Sequence, residues 1–204
     1  IARRQRQMCI RDRSKLWNDY QGYDQTIEYF NKSLDNLGLD YLDLFLIHWP
    51  CENDQLYIES YKALEHLYEE GKIKAIGVCN FKIHHLEKLM KETKITPQVN
   101  QIELHPYFNQ QDVQDFCDEH DIKVTAWMPL MRNKGLLDDP VITDIAHRYD
   151  KTPAQIVLRW HLAHNRIIIP KSQTPKRIKE NFDIFDFNLE LTDCLLYTSP
   201  SPRD

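Results

Sequence analysis

A chain of 204 residues with 42% hydrophobic and 11% aromatic side chains can bury a sizeable core as one domain. Its net charge of −5 argues against nucleic acid, whose phosphates need a basic face, and no stretch is apolar enough over the roughly 20 residues that cross a membrane. Its 5 cysteines are odd in number and include no C-x-x-C pair, which speaks against a disulfide framework or a zinc site and predicts a protein of the reducing cytoplasm.

The opening stretch IARRQRQMCIRDR (1–13) is basic, lacks an apolar segment and does not read as a signal peptide. Together with the Ser/Pro-ending CLLYTSPSPRD (194–204) it is expected to form a non-native or disordered end, leaving an organised region at 14–193. SKLW (14–17) closes a partial first unit. A helix is predicted over 24–37, with Ile27, Phe30, Leu34 and Leu37 on one face, Asp24 at its start and Gly38 just past its end. The apolar run YLDLFLIH (41–48) follows as a strand, then a helix over 56–70 with a stripe of Tyr57, Tyr61, Leu64 and Tyr68, closed by Gly71. Further strands are predicted at IKAIGVCN (73–80), QVNQIELH (98–105), IKVTAWMP (122–129) and RIIIPKS (166–172). Asp139-Pro140, Thr152-Pro153 and Thr174-Pro175 each read as an N-cap followed by proline at the first helical position. The second of these helices continues an apolar face through Ile156, Val157, Trp160 and Ala163.

Near-continuous apolar strands read as buried on both faces, hence parallel, and strand–helix alternation means an α/β fold. A doubly wound sheet would want a glycine-rich first turn, and the chain's 5 glycines form neither G-x-G-x-x-G nor a P-loop. A barrel instead carries its chemistry just past its strands, and there the chain places His48, Asn80, Gln101, His105, Trp127 and Lys171. The expectation is a partial (β/α)8 TIM barrel lacking its first units. On residue type alone His48 reads more readily as a satisfied strand-end histidine, Lys15 as a surface lysine, and Trp127 as easily core as ligand platform. The segment 170–181 stands apart: a helix starting at Thr174-Pro175 favours an anion through its free N–H groups and dipole, and Lys171 and Arg177 flank that end.

SKLWND (14–19), LDLFLIHWP (42–50), GKIKAIGVCNF (71–81), QVNQIELHPY (98–107) and IIIPKSQTPKRIKEN (167–181) together resemble the aldo-keto reductases over about Ser14 to Leu191. The resemblance implies a barrel that binds NADPH without a Rossmann fold and reduces a carbonyl by direct hydride transfer. It implies that His48 orients the substrate carbonyl. Donors aimed at the oxygen stabilise the charge that builds there when hydride reaches carbon. It implies that Lys15 lowers the pKa of a catalytic tyrosine, making the phenol a workable acid. That tyrosine and an aspartate should lie upstream of Lys15; residues 1–13 match neither, and Tyr20 and Tyr23 do not fit the motif. For the cofactor, the resemblance assigns Asn80 and Gln101 to the nicotinamide carboxamide, with Cys79 where serine is usual. Trp127 goes to the nicotinamide ring, Lys171, Ser172 and Arg177 to the 2′-phosphate, and Glu180 and Asn181 to the adenine.

The expected function is NADPH-dependent reduction of a small-molecule aldehyde or ketone, without a metal, by a monomer whose 204 residues are inactive alone. A non-catalytic NADPH-binding or interaction module on the same fold is the alternative. Glu103, His105 and Tyr107 are read as structural, and His84, His85, His147, His161 and His164 as solvated or packing residues.

Overall fold

The computed structural model describes residues 12–195. The two ends singled out above, 1–13 and 194–204, lie almost wholly outside the described residues. The chain divides into two compact units: one runs to Asn100 and includes Phe116–Ile122, the other holds Gln101–Asp115 and the residues from Lys123 onward. Among the described residues, six strands form one sheet in chain order. No described helix is long and apolar enough to cross a membrane.

In the first unit, β1 (Arg13–Leu16), β2 (Leu44–Ile47) and β3 (Ile76–Cys79) alternate with α1 (Tyr23–Leu37), α2 (Asp54–Glu69) and α3 (Ile83–Glu92). The strands pair in parallel, with Lys15 opposite Leu46 and Leu46 opposite Gly77. Their burial is near complete from Phe45 to Ile47 and from Ile76 to Cys79, as a sheet covered on both faces requires. Gly77 is obligatory, because a Cβ there would stand 2.3 Å from the Val99 carbonyl oxygen. Phe30 of α1 meets Phe45 of β2 edge to face at 5.3 Å, and Tyr57, Tyr61 and Leu64 of α2 are fully buried.

The buried face of α1 differs from the predicted one. It consists of Thr26, Phe30 and Ser33, and Leu37 is 44% exposed. The Thr26 hydroxyl donates to the Gly22 carbonyl and the Ser33 hydroxyl to that of Tyr29, so both small polar side chains can be buried at no loss of hydrogen bonding. The N-cap is Gly22, which has a positive φ of 111°, and Asp24 sits inside the first turn. Gly38 ends the helix in the left-handed conformation, as predicted.

β4 (Val99–Glu103) and α4 (Gln111–Glu119) connect to β5 (Lys123–Trp127). The second unit continues through 3-10 turns at Met131–Asn133 and Leu136–Asp138 to α5 (Pro140–Tyr149) and α6 (Pro153–Ala163), then β6 (Ile167–Ile168), α7 (Pro175–Phe182) and α8 (Leu191–Leu195). β5 and β6 are parallel, with Thr125 opposite Ile167. Asp139 caps α5 by accepting from the amides of Val141 and Ile142. Thr152 caps α6 in a reciprocal box with Gln155. Thr174 stands at the N-cap of α7 with Pro175 in its first turn, as predicted, and the Ser172 hydroxyl accepts from the Thr174 amide at 3.2 Å. Two expectations fail here. Ala163 is exposed, since it falls in the last turn of α6. The run 166–172 gives only a two-residue strand with Ile167 43% exposed, because β6 ends the sheet order and Pro170 offers no amide to a ladder.

Candidate functional site

Parallel strands joined by helices deliver their C-terminal residues to one end of the sheet. In the first unit this brings Lys15, His48, Cys79 and Asn80 to the ends of three adjoining strands: Lys15 in β1, His48 immediately after β2, Cys79 last in β3 and Asn80 next. The His48 amide donates to the Leu16 carbonyl at 3.0 Å, which carries the β1–β2 ladder one step past the strand. Asn80 takes the left-handed conformation, φ 62°, tolerated by asparagine better than by most residues. Its Nδ2 donates to the His48 carbonyl at 3.0 Å.

Burial, and after it the nearby Lys15 charge, hold the half-buried His48 imidazole below its ordinary 6.5. The ring is therefore neutral at pH 7 and offers one N–H donor. Cys79 is fully buried, and burial pushes its thiol up to about 11, against the attraction and hydrogen bonding of the Lys15 ammonium. It is a thiol at neutral pH. Two tryptophans that sequence patterning left without a role flank the histidine: Trp17 with ring centroids 4.9 Å apart, and Trp49 at 6.4 Å. They are 48% and 41% exposed, and their signal was proximity in sequence, Trp17 two residues after Lys15 and Trp49 next to His48.

In the second unit, Gln101 lies in β4 and is only 2% exposed. Trp127 ends β5 half-buried, its carbonyl accepting from the Leu104 amide at 3.3 Å. Lys171, Ser172 and Asn181 line one open groove with Pro170, Ile178 and Phe182. Lys171 and Arg177 are exposed, whereas Ser172, Glu180 and Asn181 are partly covered. Arg177 and Glu180 stand on the same helix as Asn181, α7, but not in the wall of that groove. Glu103 meets His105 at 3.3 Å, and the Tyr107 hydroxyl donates to Asp139, so these residues are engaged within the fold.

Residues 4–194 match the model of the aldo/keto reductase family. The chain is 51% identical over 180 residues to the glyoxal reductase of Bacillus subtilis (strain 168), covering 88% of this chain and 64% of that protein. It thus spans just under two thirds of that relative's length. Among solved structures, an aldo/keto reductase from Brucella melitensis superposes with a TM-score of 0.87 at 52% identity, over 91% of this chain and 71% of that one. A mutant of Gox0644 solved in complex with NADPH gives 0.90 at 44% identity, over 94% and 70%. Strand-end residues, fold and sequence agree: the chain belongs to the aldo/keto reductase family.

Proposed function

We propose that the chain takes part in the NADPH-dependent reduction of small aldehydes and ketones, compounds of the class to which the glyoxal named for the Bacillus subtilis relative belongs. The observation that carries this reading is the convergence of Lys15, His48, Cys79 and Asn80 at the ends of β1, β2 and β3. NADPH, when bound, supplies a hydride to the carbonyl carbon. Neutral His48 donates its N–H to the carbonyl oxygen, where negative charge develops, and the Lys15 ammonium adds a positive potential at the same place. Trp17 and Trp49 form apolar walls beside that oxygen position.

The side chains present fit the nucleotide. Exposed Lys171 and Arg177, with Ser172, suit a phosphate at the start of α7, where the helix dipole and amides add to their charge. Glu180 and Asn181 on the same helix suit the hydrogen-bonding edge of the adenine. The family resemblance assigns Asn80, Gln101 and Cys79 to the nicotinamide carboxamide and Trp127, half-buried at the end of β5, to its ring. A tyrosine acid beside Lys15 is implied by the family resemblance, and none precedes Tyr20 in the 204 residues. The chain taken alone is therefore expected to bind NADPH without turning over aldehydes.

Titrating the chain with NADPH and with NADH tests the assignment. Arg177→Ala should weaken NADPH by about tenfold or more, the loss of one charge-assisted contact, and leave NADH nearly unchanged. Equal losses for the two nucleotides would remove the 2′-phosphate assignment.

A further inference from the structure

His48 is located through its backbone rather than its ring. Its amide donates to Leu16 O at 3.0 Å, and its carbonyl accepts Asn80 Nδ2 at 3.0 Å. The next carbonyl, that of Trp49, accepts Gln21 Nε2 at 2.8 Å. Gln21 follows the 3-10 turn Asn18–Tyr20 and is 4% exposed. The amide after it, Gly22 N–H, donates to the Ser60 hydroxyl of α2 at 2.8 Å, so the base of the Gln21 side chain is itself anchored. Gln21 thereby ties the segment that carries Trp17 to the segment that carries His48 and Trp49.

The other half of the amide has no such use. Gln21 Oε1 is buried and has no partner among the described residues. A buried polar oxygen without a partner is costly, and an apolar side chain of similar length would avoid that cost. Packing alone therefore disfavours glutamine here, and what the amide provides is the N–H given to Trp49. We infer that Gln21 is a positioning residue for His48, fixing the imidazole between the Trp17 and Trp49 rings by holding the carbonyl one residue beyond it. The inference rests on reading His48 as the group that polarises the substrate carbonyl.

The test follows His48 in the 204-residue chain by NMR with labelled histidine, its signals assigned by their loss in His48→Gln. In Gln21→Met the donor is gone and the length kept. With the backbone tether released, the ring should gain solvent. Its titration midpoint should rise toward that of a solvated histidine. The upfield shift imposed by Trp17 should shrink. Gln21→Leu should reproduce both changes, and both variants should unfold in urea cooperatively, at a midpoint no lower than that of the unsubstituted chain. A folded Gln21→Met with His48 unmoved in both readings overturns the inference. So does loss of cooperative unfolding in both variants, which would assign the amide to the fold. None of these readings needs a nucleotide, so failure of NADPH binding would remove the functional reading without changing what they say about Gln21.

Discussion

At position 79 a thiol occupies the last place of a buried strand, beside a lysine ammonium and one residue before Asn80. Sulfur is a weak hydrogen-bond partner, and here burial keeps the proton on it, with the thiol pushed up to about 11. A serine would keep the site's size nearly constant and provide a full-strength donor and acceptor. Cys79→Ser should therefore tighten NADPH binding by roughly threefold to tenfold, the worth of one ordinary hydrogen bond, as read by titration calorimetry. Unchanged affinity would show that position 79 does not face the carboxamide. His48 and Asn80 could be picked out from the sequence because each sits where an apolar run turns polar, whereas Lys15 reads as an ordinary surface lysine and was singled out only by the family resemblance. Gln21 could not. It lies in a short 3-10 turn with no periodicity, and its importance arises from a contact to Trp49, 28 residues away, which no local pattern encodes.

At the scale of the elements, strands and helices were legible through period and caps, and the pattern misled where polar groups are satisfied internally or an edge relaxes the need for burial. Thr26 and Ser33 are buried because their hydroxyls return to their own helix, so the apolar stripe of α1 pointed a little to one side of the true face. β6 is as apolar as β2 in sequence yet shorter and more exposed, as an edge permits. Glu65 of α2 shows the same blindness in a charged residue. It is 7% exposed, and its Oε1 accepts from the amides of Lys94 and Ile95 at 2.6 and 2.7 Å, holding the segment that leads into β4. Glu65→Ala leaves two part-buried donors without that acceptor and should lower stability by about 2–4 kcal/mol. Glu65→Gln, which keeps an oxygen in place, should cost less than half as much. Urea unfolding of the two variants checks the ratio; equal losses would mean that packing or charge, not the amide contacts, sets the effect.

For the molecule as a whole, the fold class was readable because glycine motifs were missing while polar residues marked strand ends, and the family resemblance followed from motifs spread over most of the chain. What could not be read is how the chain treats its histidines. His48, His85, His161 and His164 all lie below their ordinary 6.5, and burial is the largest cause for each. His161 is the extreme case: fully enclosed in α6, its Nε2 3.4 Å from the Pro129 carbonyl and its Nδ1 without a partner among the described residues, it is pushed down to about 3, with Arg166 adding repulsion. In the unfolded chain these rings take up protons near pH 6.5, whereas the folded chain resists until lower pH, so the unfolded state binds more protons as the solution is acidified. Their stabilisation is full above about pH 6.5 and is lost as pH falls toward the folded values. The carboxylates Asp54, Glu70 and Asp186, held low first of all by hydrogen bonds from Lys88, Lys72 and Lys151, respond only in the more acidic carboxylate range, and Glu70 and Asp186 are exposed. The urea midpoint should therefore hold level down to about pH 6.5 and fall as the pH drops from there toward 5. His161→Gln, which keeps a donor for Pro129 but cannot take up a proton, should flatten that slope by up to about 1.4 kcal/mol per pH unit. A midpoint that stays level across this range would mean that the buried rings accept protons in the folded chain as readily as in the unfolded one.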